Sequence, residues 1–274
     1  MGILKNKKLF LLDMDGTLYI DKYLFERTPE FLQQVKKNGG NYAYLTNNSS
    51  RGKDAYVKRM QNFGIEASEA DFLTSVDATV DYLKSNYPPE TKYFVCGTKT
   101  FCKQFTDAGF NFITKLTDEM RANLRTEGFP DVAVLSYNTE ITYEEIEDFT
   151  RVLMAGKDYI ATHPDMLCPS AYGMAVDIGC YIEMFEHASG RTPKIIGKPQ
   201  PQMALTAMKL FGAAPEETCI IGDRLHTDIL CGINAGIDSI LVLTGDHKRR
   251  DIKRLGINPT YVFNDIGEVC DEIK

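Results

Sequence analysis

Apolar and polar positions along this chain follow two rhythms that alternate. Residues 9–12, LFLL, form an unbroken apolar run closed by Asp13, as in a strand buried on both faces. TPEFLQQVKKNGG (28–40) carries Phe31, Leu32 and Val35 at helical spacing. Thr28 as N-cap and Pro29 mark its start, and Gly39–Gly40 its end. NYAYLTNNSS (41–50) reads as a strand running into a polar loop, KDAYVKRMQNFG (53–64) as a helix, and DFLTS (71–75) as a strand. The same grammar returns near the C-terminus. PKIIGKP (193–199), ETCIIGD (217–223), SILVLTG (239–245) and TYVF (260–263) are predicted strands, with helices over 201–212 and 228–234. Strands alternating with helices predict a parallel sheet.

The middle has another texture. KYFVCG (92–97), PDVAVLSYN (130–138) and DYIATH (158–163) are strand candidates separated by longer, more polar helical stretches. The predicted architecture is α/β: a doubly wound parallel-sheet core over 1–77 plus 190–274, with an inserted α/β domain over 78–189.

Composition narrows the partners. The 274 residues are 43% hydrophobic and 25% charged, ordinary for a globular protein, and the net charge of −7 argues against nucleic acid, which needs a basic face. It does not argue against a small phosphorylated ligand, because a metal ion or a few placed cations reverse the local sign. Seven cysteines, an odd number without a C-x-x-C pair, predict buried reduced thiols and no zinc ribbon. The N-terminal apolar run meets acids after four residues, too soon for a signal-peptide core or a membrane span. A cytoplasmic protein is expected.

In an open parallel sheet, ligands bind beyond the carboxyl ends of the strands. The first strand ends in Asp13-Met14-Asp15-Gly16-Thr17, the second in Thr46-Asn47-Asn48. Lys198 follows the strand at 193–197, and Asp223 closes the strand at 217–221, with Asp228 five residues on. Taken singly, each is an ordinary turn, cap or surface residue. Together they place carboxylates, an amine and amide groups at successive strand ends. Oxygen ligands of this kind suit Mg²⁺. Asp13 can then attack phosphorus to give an aspartyl-phosphate, while Asp15 protonates the leaving alkoxide and later deprotonates water. Thr46, Asn47 and nearby amides would bind phosphoryl oxygens, and Lys198 would neutralise their charge.

The set DMDGT, LTNNSS, GKP and GDRLHTDI resembles the four motifs of the haloacid dehalogenase (HAD) superfamily of phosphatases. The motif spacing is similar to its NagD-like branch, the p-nitrophenylphosphatase-type subfamily IIA. The interval from Asp15 to Thr46 is too short for a folded cap. The long interval from Thr46 to Lys198 fits a C2-type cap between the second and third motifs. The resemblance implies a Rossmann-like core with Asp13 as nucleophile and metal ligand, and Asp15 as general acid/base with its main-chain carbonyl on the metal. It further implies Thr46 and Asn47 on phosphate, Lys198 holding nucleophile and phosphate charges together, Asp223 as a direct ligand, and Asp228 steadying a metal-bound water or the loop.

Departures from the branch pattern fall where substrate choice should lie. THPD (162–165) stands where T-N-P-D is common, making His163 and Asp165 candidates for reading the leaving group. Asn138 takes an expected acid position, and His226 stands in GDRLHTD where an acidic or polar residue is common. The expected function is hydrolysis of a small phosphomonoester: a nucleotide, sugar, polyol or aryl phosphate. Two alternatives stay open: phosphoryl transfer to another sugar, and a phosphometabolite-binding protein with little catalysis. Apolar strands in the inserted domain are compatible with a homodimer.

Overall fold

A computed structural model describes residues 2–170 and 172–274. The chain divides into two compact units. The first comprises residues 1–46, 53–74 and 198–274, the second 47–52 and 75–197.

The first unit is built on a six-stranded parallel sheet. Its spatial order is Tyr261–Phe263, Asp238–Val242, Thr218–Gly222, Leu9–Leu12, Asn41–Thr46, Phe72–Thr74. Leu9–Leu12 lies centrally, between Thr218–Gly222 and Asn41–Thr46, and is buried throughout, as an unbroken apolar run requires. Side chains alternate across the pleat. Phe10 and Leu12 join Phe31, Leu32, Val35, Val269 and Ile273 in one apolar cluster. Leu9 and Leu11, equally buried, point the other way, and the helix Gln202–Phe211 packs on this strand. The helix Thr28–Lys37 starts differently from expectation. Thr28 is its first residue and not its cap, because the Thr28 hydroxyl donates to the Leu18 carbonyl at 2.8 Å.

The second unit has its own five-stranded parallel sheet, in the order Lys194–Ile195, Asp158–Ala161, Val132–Leu135, Lys92–Cys96, Asn111–Ile113. Its core gathers Phe94, Leu135, Phe149, Val152 and Phe185. A separate antiparallel hairpin pairs Leu167–Ser170 with Gly173–Val176.

Three segments, 47–52, 75–77 and 190–197, fall in a different unit from the one the sequence suggests. Residues 190–197 are expected in the core, but Lys194–Ile195 pairs with Asp158–Ala161 of the second sheet. Residues 47–52 also belong to the second unit, because Ser49 is bonded there. Its hydroxyl oxygen accepts from the Ser136 hydroxyl at 2.9 Å and the Tyr137 N–H at 3.0 Å, and lies 3.0 Å from the Thr162 hydroxyl. Among the described residues, no helix is long and apolar enough to cross a membrane, and no cysteine is disulfide-bonded.

Candidate active site

Parallel strands end side by side, so residues far apart in sequence meet at one edge of the first sheet. Asp13 follows Leu12, and its backbone N–H donates to the Ile221 carbonyl at 2.9 Å, extending the ladder by one residue. The neighbouring strand Thr218–Gly222 delivers Asp223. The chain then widens into a π-helical turn, Leu225–Ile229, in which the Ile229 N–H reaches the Arg224 carbonyl at 3.2 Å. This turn brings Asp228 back beneath the strand end. A Cβ on Gly222 would meet the Asp228 side chain at 2.2 Å, so the turn closes only over glycine.

Asp13, Asp223 and Asp228 each present a carboxylate oxygen, and these oxygens lie within 4.8 Å of one another. Lys198, 2% exposed, enters this group. Its ammonium donates to Asp13 at 2.7 Å, to Asp228 at 2.6 Å and to the Leu45 carbonyl at 3.2 Å. The expectation that a core strand carries Lys198 is corrected, because the preceding strand belongs to the second sheet. Lys198 is the first residue of the chain's return to the first unit.

The electrostatics follow from burial. Burial, and then the Asp228 carboxylate, raise the pKa of Asp13 well above the ordinary 3.8, against the pull of Lys198. Burial and Asp228 likewise push Asp223 up to about 6. Burial works against the Lys198 ammonium, yet Asp13 and Asp228 outweigh it and hold its pKa above 10.5. Lys198 therefore stays charged and answers part of the acids' surplus.

The acid group fits a divalent cation. The Asp223 Oδ1 is buried without a hydrogen-bond partner, while Oδ2 accepts from the Asp246 N–H at 2.7 Å. Gly16, at φ +90°, and Gly245 leave room for this carboxylate. A Cβ on either would fall within 2.5 Å of Asp223 Oδ2. Hard oxygen donors with excess negative charge are what Mg²⁺ takes.

Asp15 stands apart. Its side chain is not in the acid group. Instead Arg59 Nη1 donates to Oδ1 and the Tyr19 hydroxyl to Oδ2, both at 3.4 Å. Burial, and then the nearby Asp15 carboxylate, hold the Tyr19 phenol above its ordinary pKa, so it remains a donor. The sequence reading missed Arg59 and Tyr19. Tyr19 lies four residues from Asp15 and was legible as a turn neighbour, whereas nothing local marks Arg59. The Thr17 hydroxyl, also unassigned, donates to Asp13 Oδ2 at 3.3 Å. Thr46 is buried at the end of its strand.

Asn47, His163 and Asp165 lie in the second unit. The Asn47 amide donates to Asp165 Oδ2 at 3.2 Å, and the Asn47 carbonyl accepts from the Ser75 hydroxyl at 2.5 Å. His163 is completely buried. Its Nε2 lies 3.2 Å from Asp177 Oδ1 and its Nδ1 3.0 Å from the Thr162 hydroxyl. A carboxylate only accepts, so Nε2–H donates to Asp177, while Nδ1 shares a hydrogen bond with the Thr162 hydroxyl. Both ring nitrogens of His163 are thus engaged within the second unit. Asp165 keeps one buried oxygen, Oδ1, without a hydrogen-bond partner. Asn138 is buried too, its Oδ1 accepting from the Glu140 N–H at 2.9 Å. The exposed His226 ring stacks edge-on with His247, with centroids 5.1 Å apart.

Comparison with known proteins concerns the chain as a whole. A family model described as haloacid dehalogenase-like hydrolase matches residues 10–111, and a HAD-hydrolase-like model matches 195–269. The chain is 29% identical over 271 residues to an acid sugar phosphatase of Staphylococcus aureus, covering 99% of this chain and 100% of that one. It superposes on the crystal structure of a 4-nitrophenylphosphatase from Thermotoga maritima with a TM-score of 0.89, at 35% identity, covering 100% of both chains. Against NagD from Escherichia coli K-12 the TM-score is 0.82, at 28% identity, covering 96% of this chain and 98% of that one.

Proposed function

Because the chain belongs to the haloacid dehalogenase-like hydrolases, in their NagD-like branch of phosphatases, we propose that it hydrolyses a small phosphomonoester with Mg²⁺ as cofactor. The observation that carries this reading is Asp13 at the end of a central strand, paired with a buried lysine and grouped with Asp223 and Asp228.

Asp13 and Asp223, the main-chain carbonyl of Asp15, and Asp228 through water would hold the ion. When bound, it supplies positive charge that keeps Asp13 ionised beside a phosphate dianion. In the first step an Asp13 oxygen bonds to phosphorus as the bond to the leaving oxygen breaks, and Asp15 gives that oxygen its proton. In the second, Asp15 takes a proton from the water that attacks phosphorus. The bond to Asp13 then breaks, releasing inorganic phosphate and restoring both acids. Lys198 orients Asp13 and offsets the charge on the equatorial oxygens, with Thr46 and Asn47 as their further donors. Asp165 is the residue of the second unit we assign to substrate choice. The setting is cytoplasmic, consistent with cysteines outside disulfides.

The Staphylococcus aureus relative is named an acid sugar phosphatase and the Thermotoga maritima relative a 4-nitrophenylphosphatase. Sugar and aryl phosphates are therefore the first substrates to assay. Release of phosphate from p-nitrophenyl phosphate should require Mg²⁺, stop with EDTA, proceed without any acceptor and vanish in Asp13→Asn. Metal-independent turnover, or full activity in Asp13→Asn, overturns the reading. An obligatory acceptor would favour a mutase.

A further inference from the structure

We propose that Arg59 is a positioning residue for Asp15, holding its carboxylate out of the acid group in the orientation from which it exchanges protons with the leaving oxygen. The inference rests on the acid/base reading of Asp15 given above.

Three observations carry it. The first is the division of the two acids that begin the site. Asp13 lies among Asp223, Asp228 and Lys198, whereas the Asp15 side chain, 44% exposed, lies with Arg59 and Tyr19. The second is that each Asp15 oxygen has its own donor, Oδ1 from Arg59 and Oδ2 from Tyr19. Two donors on two oxygens define the carboxylate plane, which a single contact leaves free to rotate. The third is that both donors are themselves fixed. Tyr19 is fully buried, its ring 5.3 Å from Phe63, and its carbonyl accepts from the Gly16 N–H at 2.8 Å. Arg59 belongs to the helix Lys53–Asn62, which buries Tyr56 and Met60 and so presents Arg59 toward the first strand's loop. Its guanidinium carbon sits 5.2 Å from the Tyr19 ring centroid, so cation and ring locate each other.

A half-exposed aspartate without these contacts samples several rotamers. Proton transfer needs hydrogen-bond reach to one particular oxygen, so time spent in the wrong rotamer lowers the rate without weakening substrate binding. The loss should depend on the leaving group. An alkoxide needs its proton during bond breaking, whereas 4-nitrophenolate leaves as a stable anion and needs little help.

The experiment compares Arg59→Met, Arg59→Lys and Asp15→Asn with the wild type in Mg²⁺, on an alkyl phosphate and on p-nitrophenyl phosphate. We expect Arg59→Met to lose about 10- to 100-fold in kcat/KM on the alkyl ester, a parameter that reports ester cleavage and not the later attack of water, and part of the roughly 10²- to 10⁴-fold that general acid–base help supplies. Its loss on the aryl ester should be several-fold smaller, with KM little changed on both. Arg59→Lys, which keeps charge and donors, should recover part of the alkyl rate. Equal losses on the two esters, no loss, or no recovery by lysine overturn the proposal. Asp15→Asn separates the two levels. If it too lowers kcat/KM, which reports the step that breaks the ester bond, equally on both esters, the general-acid reading of Asp15 has failed. If it discriminates and Arg59→Met does not, only the positioning role has.

Discussion

Replacing Asp223 with asparagine should make the metal-free protein more stable at neutral pH while destroying its function. Asp223 is 2% exposed, with one oxygen bonded to the Asp246 N–H and the other without a hydrogen-bond partner. Burial and the Asp228 carboxylate raise its pKa from 3.8 to about 6. A folded-state value above the unfolded one means that folding takes up a proton. The stability this group contributes is then fully present below its unfolded pKa and lost as pH rises through about 6. At about 1.36 kcal/mol per unit, roughly two units amount to about 3 kcal/mol at neutral pH. Asparagine has no charge to desolvate, keeps an acceptor for the Asp246 N–H, and sets a donor where the lone oxygen stood. The advantage of Asp223→Asn should thus be near zero at about pH 4 and grow to about 3 kcal/mol by pH 7. In melting temperature that is roughly 6–12 °C, at about 2–4 °C per kcal/mol. Urea and thermal unfolding of both proteins in EDTA, stepped through this pH range, measure it directly. Added Mg²⁺ should raise the melting temperature of the wild type and leave the variant unmoved. An advantage missing at neutral pH, or one that does not grow with pH, refutes the reasoning.

Lys198→Met removes the buried cation between Asp13 and Asp228. It should cost about 3–5 kcal/mol in EDTA, because the buried Asp228 and the partly buried Asp13 lose their partner, and lower kcat by about 10²- to 10³-fold. Denaturant midpoints and p-nitrophenyl phosphate kinetics check both figures. His163→Ala should destabilise the protein by about 2–4 kcal/mol through lost packing and hydrogen bonds. The relative kcat/KM values over a phosphomonoester panel should stay as they are, and a reordered panel would make His163 a substrate residue. Asp165→Ala should instead reorder that panel by about tenfold for some members, at little cost in stability; an unchanged ranking would remove Asp165 from substrate choice.

Most of the first sheet was legible because its strands announce themselves locally. LFLL, NYAYLT and TCIIG are apolar runs, and burial on both faces of a parallel sheet demands nothing subtler. The strand Asn111–Ile113 and the hairpin Leu167–Ser170 with Gly173–Val176 were not legible, because short, half-exposed strands carry no period that separates them from loop. The same limit misplaced 190–197. KII looks like any strand, and only its pairing with Asp158–Ala161 says which sheet it joins.

The sequence by itself determined the chemical inventory: which acids, which amine, and that they stand beside strand ends in an order that limits the reaction. Tertiary structure decided how that inventory is divided. Asp13 and Asp15 are two residues apart, yet one is grouped with Asp223, Asp228 and Lys198 while the other is held by Arg59 and Tyr19. His163 and Asp165 are also two residues apart, yet one has both nitrogens occupied in a buried chain to Asp177 and Thr162, and the other keeps an oxygen without a hydrogen-bond partner. The physical reason is the same in both cases. A residue's type sets which bonds it can form, but the partners that satisfy them come from segments tens or hundreds of residues away, and only packing brings those partners within reach.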